Sequence, residues 1–129
     1  MIARTWRGSV APGDAESYLD YLKVTGIRDY RGTPGNRGVF TLSRDAGEQV
    51  EFFMVSLWDS WDAVRGFAGP SPEVAVFYPE DDRFLVNRDP LAHHFEVVDA
   101  YLPTRGLLAR WWAWWWEGWK ALLPERGMR

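Results

Sequence analysis

The 129-residue sequence contains no cysteine. That excludes disulfides, thiolate nucleophiles, iron–sulfur clusters and cysteine-ligated zinc, and it fits a reducing cytoplasm, where the protein is expected. Histidine is nearly absent, with only His93 and His94. Basic charge is not in excess: 15 Lys and Arg stand against 18 Asp and Glu, a formal net charge of -3. No basic field recruits nucleic acid, and no aromatic-basic motif of an RNA-binding module is present. No apolar run reaches membrane-spanning length, and the first residues, MIARTWRG, do not resemble a secretion signal. The length suits one domain with a real core.

Aromatic residues are plentiful. There are nine tryptophans, six of them in the last twenty residues. The most telling stretch is VEFFMVSLWDSWDAVRGFAG, Val50 to Gly69. Val50 to Trp58 is almost continuously apolar and reads as a strand buried on both faces. Asp59-Ser60 supplies N-caps, Trp61, Val64, Phe67 and Ala68 recur at helical spacing, and Gly69-Pro70 ends the helix.

The remaining elements fall around this stretch. Ile2 to Gly8 alternates and reads as a first strand. Asp14 is placed to cap a first helix, with Ala15, Tyr18, Leu19 and Leu22 on its apolar side and Gly26 as a left-handed cap. Arg28 to Gly38 reads as a glycine-rich basic loop; Asn36 and Arg37 either rim a pocket or make a plain turn. Val39 to Arg44 is a second strand, joined by a hairpin to Val50–Trp58. Pro70 to Pro79 is expected to add helical turns, Glu80 to Arg88 a loop, and Leu91 to Leu102 a last strand. The order β-α-β-β-α-β predicts a ferredoxin-like α+β domain over 1–102, a four-stranded antiparallel sheet with two helices on one face. Its other face is left bare and apolar, which predicts a homodimer.

Residues 103–129 form a second segment. Thr104 to Leu123 predicts an amphipathic, tryptophan-rich helix, capped by Thr104 and stopped by Pro124. Its apolar arc is expected to pack on its own domain or a dimer partner in preference to a membrane surface.

IARTWRG, YLDYLKVTGI, TPGNRGVF, SLWDSWDAVRGFAG, YPEDDRFL and HHFEVV together resemble the antibiotic biosynthesis monooxygenase-like branch of the dimeric α/β-barrel superfamily. The resemblance covers Met1 to about Val98 and implies a dimeric α/β barrel. It implies oxygenation of a small aromatic or polyketide-like compound without a cofactor, or else a non-catalytic ligand-binding or docking protein of the same fold. The haem-degrading members use an Asn on the first strand, a Trp in the second helix and a His after it. Here those positions hold Arg4, Trp6 and Arg7, then Phe67, then Phe77 and Tyr78. All three depart, so haem degradation is not expected.

The candidate catalytic groups are Tyr78, His93 and His94. Adjacent histidines on a strand face opposite ways, so one suits a base and the other a structural role. His94 with Glu96 offers only two ligands, so no metal is expected. Arg4, Trp58, Phe67 and Phe77 are candidate substrate-binding residues. A buried Arg4 needs an anion, either a substrate carboxylate or enolate, or, as expected here, a salt bridge to Glu80, Asp81 or Asp82. Trp58, ending a buried strand, also reads as plain core.

Overall fold

The computed structural model describes residues 1–103; the expected helix over 104–123 lies outside the described residues. Met1–Val98 forms one compact unit. Strand β1 spans Ile2–Val10, β2 Asn36–Asp45, β3 Val50–Trp58, β4 Leu85–Arg88 and β5 His93–Glu96. Helix α1 is Ala15–Val24, α2 Gly26–Gly32, α3 Trp61–Ala68 and α4 Asp81–Phe84.

The fold is α+β, with an antiparallel sheet in the order β2-β3-β1, and β4 and β5 both pairing with β1. Gly8–Val10 takes β4 and Ile2–Thr5 takes β5, so two short strands lie end to end in a fourth position. Asp89 holds the junction: its N–H donates to the Arg7 carbonyl and its carbonyl accepts from the Trp6 indole N–H at 2.8 Å.

Strand β3 pairs along its full length with both neighbours, and its side chains alternate. Phe52, Met54, Ser56 and Trp58 are buried beneath the helices, with Tyr18, Leu22, Tyr30 and Val64 packed on them. Phe53, Val55 and Leu57 face the other way. There they meet Leu42 and Phe40, which are 48% and 50% exposed, while Phe95 stands 59% exposed on β5. The doubly apolar strand thus has one face covered by its own helices and one open.

Helix α3 starts as its sequence predicts. Ser60 is extended at the N-cap and its hydroxyl accepts from the Ala63 N–H at 3.2 Å, and Gly69 closes the helix with φ +86°. Ser60→Ala is expected to destabilise the domain by about 1 kcal/mol, read as a shifted urea midpoint at unchanged slope.

Several expectations are corrected. Asp14 makes no side-chain cap; a 3₁₀ turn, Pro12–Asp14, leads into α1 instead. Gly26 is not a left-handed terminator. The backbone breaks at Thr25, and Gly26 opens α2 where a loop was expected. The Thr25 hydroxyl donates to the Tyr21 carbonyl at the end of α1, and the Thr33 hydroxyl to the Asp29 carbonyl of α2. Pro70 to Pro79 carries no helix; it pairs antiparallel with Pro90–Ala92, ahead of β5, through the Val74–Leu91 bridge. Glu80 to Arg88 is α4 plus β4, and the last strand is only His93–Glu96. No described helix is long and apolar enough to cross a membrane.

Candidate functional site

The alternation of β1 turns Ile2, Arg4 and Trp6 toward the helices. Arg4 is 2% exposed. Register sets its neighbours: Ser56 stands opposite on β3 and His94 opposite on β5. The guanidinium Nη1 donates to the Pro72 carbonyl and meets His94 Nε2 at 3.0 Å. Nη2 donates to the Val74 carbonyl at 3.2 Å. The group lies 5.6 Å over the Phe67 ring, a cation–π distance. Its Nε has no hydrogen-bond partner.

The expected salt bridge from Arg4 is absent. Among the described residues no carboxylate lies within 4.0 Å of it. Glu80 pairs with Arg83, Asp82 with Arg88, and Asp81 accepts the Tyr78 N–H at 2.6 Å. The short α4 turns these three acids to its own local needs. Arg4 is instead met by carbonyl dipoles, an imidazole lone pair, an aromatic face and the Tyr30 hydroxyl.

A guanidinium has no lone pair, so the contact with His94 makes Nε2 the acceptor and places the proton on Nδ1. Burial, then Arg4, lowers the His94 pKa. A histidine kept neutral in the fold binds fewer protons than its unfolded counterpart. Stability therefore rises with pH through the unfolded value of about 6.5 and is lost as pH falls below it toward the lowered folded value. His94→Gln keeps an acceptor for Arg4 and is expected to flatten this dependence, measured by urea unfolding between about pH 5 and pH 7.5. Asp81, whose pKa burial raises, acts in the opposite direction in both proteins and cancels in the comparison.

Between sheet and helices lies a cavity lined by Arg4, Tyr18, Tyr30, Phe67, Tyr78 and Asp81. It offers about 30 Å³ to water centres, room for about two waters. Tyr30 comes from α2. It stacks on Phe67 at 4.5 Å, and its hydroxyl sits beside Arg4 and Ser56. Burial raises the Tyr30 pKa, with Arg4 opposing. The Tyr78 hydroxyl donates to Asp29 Oδ2 at 2.7 Å. Burial first, and this carboxylate second, push the Tyr78 pKa far above the usual phenol range.

The candidate residues are thus divided. Arg4, Phe67 and Tyr78 share the cavity, and His94 adjoins it through Arg4. Trp58 is fully buried behind the wall, tilted against Phe67 and edge-on to Tyr30, its indole N–H donating to Ser56 Oγ at 2.9 Å. Phe77 is 38% exposed and packs on Trp6 and Arg88. His93 is exposed and bonded to Asp89 Oδ2 at 2.8 Å. Tyr18 and Tyr30 escaped the sequence reading, and Asp81 entered it only as a salt-bridge partner for Arg4. Tyr18 was absorbed into an apolar helix stripe, and Tyr30 lay in an apparent loop.

No family model and no curated protein matches the chain. Solved structures do. A Bacillus cereus protein provisionally described as an antibiotic biosynthesis monooxygenase superposes with TM-score 0.57 at 15% identity, covering 81% of this chain and 97% of that one. A Streptomyces coelicolor monooxygenase in complex with nanaomycin D gives 0.52 at 17%, covering 80% and 92%. The fold is that of the antibiotic biosynthesis monooxygenase-like proteins. The heme-degrader MhuD of Mycobacterium tuberculosis, with two hemes in its active site, gives 0.50 at 19%, covering 79% and 100%. The histidine beside the cavity turns Nε2 to the Arg4 guanidinium and so does not offer that group a ligand.

Proposed function

We propose that this chain is a cofactor-independent monooxygenase of a small aromatic or polyketide-like compound, acting as a homodimer in the cytoplasm. The observation that carries the reading is the buried Arg4, unpaired by any described carboxylate, in the same cavity as the carboxylate of Asp81. Such a pair suits removal of a proton from an activated methylene and stabilisation of the enolate left behind. The enolate reduces dioxygen; a methylene and O₂ give a ketone and one water, so atoms and electrons balance without an added reductant. His94 has its Nε2 lone pair engaged by Arg4, and Tyr78 has its proton engaged by Asp29. They serve here as positioning groups. Asp81, with its pKa raised by burial, is the proton acceptor.

The test is dioxygen uptake with dithranol, an anthrone whose oxidised product is coloured. Uptake above buffer is expected, and Asp81→Asn is expected to lower it about 10²-fold. The small cavity volume favours a second reading, a non-catalytic small-ligand-binding protein. Ligand binding with no uptake above buffer decides for it.

The homodimer reading rests on the open sheet face. Phe53, Val55 and Leu57 with Phe40, Leu42 and Phe95 form a continuous apolar surface that a second copy would cover. Val55 lies at its centre, between Thr5 and Phe40. Val55→Glu is expected to convert a dimer to a monomer in sedimentation at micromolar concentration. A monomeric parent protein overturns the assembly.

A further inference from the structure

We propose that the ligand of this cavity is a monocarboxylate with an apolar body, whose carboxylate neutralises Arg4. The inference deepens the reading above and takes that cavity as the working site.

A buried charge left without a counterion is unfavourable, and folded proteins pair or solvate such groups. Arg4 is 2% exposed, and among the described residues no carboxylate approaches it. Its hydrogen bonds are lopsided. Nη1 is occupied by Pro72 and His94, and Nη2 by Val74 on one of its two protons. The Nε–H is unmatched. Nε and Nη2 form one edge of the guanidinium fork, the edge that receives a carboxylate through two parallel bonds. The carbonyls and His94 hold the plane of the group, and an anion arriving at this edge also meets the Tyr30 hydroxyl beside Arg4 as a donor.

Three features choose the class of anion. His94 accepts from Arg4 and adds no charge, so Arg4 is the one cation lining the cavity, and the Asp81 carboxylate lines it too. A dianion such as phosphate would set two negative charges against Asp81 where a monocarboxylate sets one. The free space, about 30 Å³, is that of about two waters and matches a carboxylate head. Phe67 lies under the guanidinium and Tyr30 stacks on it, so the surface next to the head is aromatic and suits an apolar body.

Benzoate and benzamide test this on the full chain, since they share shape and differ in charge. At constant ionic strength, near pH 7, benzoate is expected to raise the melting temperature in a dose-dependent, saturable way and to give a calorimetric isotherm. Benzamide is expected to do neither. Arg4→Met removes the charge and keeps an unbranched apolar side chain; its benzoate affinity is expected to fall at least tenfold. Arg4→Lys keeps the charge without the fork and is expected to bind benzoate more weakly than the parent. This second variant decides if Arg4→Met does not fold. Equal binding of benzoate and benzamide, or no benzoate response up to about 10 mM, overturns the inference. Dithranol turnover without benzoate binding overturns it and leaves the oxygenase reading standing. Benzoate binding without turnover does the reverse.

Discussion

Trp58→Ala is expected to destabilise the domain by about 3–5 kcal/mol, the range for emptying a buried aromatic position. Total stabilities run to about 5–15 kcal/mol, so the variant is expected to sit near its unfolding threshold at ordinary temperature. Trp58 is 0% exposed and ends the central strand. Its ring is walled by Tyr30 and Phe67, and its N–H satisfies Ser56 Oγ, which is itself fully buried. Truncation therefore opens a cavity and withdraws the donor from Ser56 together. Trp58→Phe separates the two: it keeps most of the volume and loses the hydrogen bond, and is expected to cost about 1–3 kcal/mol. Urea midpoints for both variants check the order. A Trp58→Ala midpoint equal to the parent's contradicts the central placement of this ring.

Gly35→Ala carries the second large effect, about 2–5 kcal/mol. Gly35 has φ +88°, a conformation that disfavours any Cβ, and its carbonyl accepts the Asp59 N–H at 2.9 Å. A Cβ built there would lie 2.5 Å from the Ala63 Cβ on α3. Backbone strain contributes about 1–2 kcal/mol and overpacking about 1–3 kcal/mol. The double variant Gly35→Ala with Ala63→Gly relieves the overlap and leaves the strain. A favourable coupling of about 1–3 kcal/mol is expected in the cycle of melting measurements. Gly13→Ala, with nothing within 4 Å of the added carbon, is the control and is expected to be near neutral. The close approach explains how the loop before β2 clamps α3 over the sheet, and so how Phe67 is held against Arg4.

The parts legible in the sequence are those with a strong local signal. The β3–α3 stretch combines a doubly apolar strand, a Ser60 cap and a Gly69 stop, and each appears where expected. Helix α2 was hidden because Gly26 and Gly32 bracket it, and glycine weakens a helical pattern. Helix α4 and strand β4 have four residues each, too short for either periodicity to show. The site was half legible for a related reason. Alternation grouped Arg4 with Ile2 and Trp6 on a face turned either to the helices or to a partner, but its lack of a salt bridge depends on where α4 aims three acids. That is a tertiary fact, and the acidic run alone pointed the other way.

The end-to-end arrangement of β4 and β5 bears on a different hazard. An exposed sheet edge is a template on which other chains can add strands and grow into aggregates. Here the β1 side of the sheet ends in two four-residue strands interrupted at Asp89, so it offers no long, regular row of free amides. The opposite edge, β2, is ten residues long and carries Arg37, Arg44 and Asp45. One margin resists polymerisation by being broken, the other by being charged.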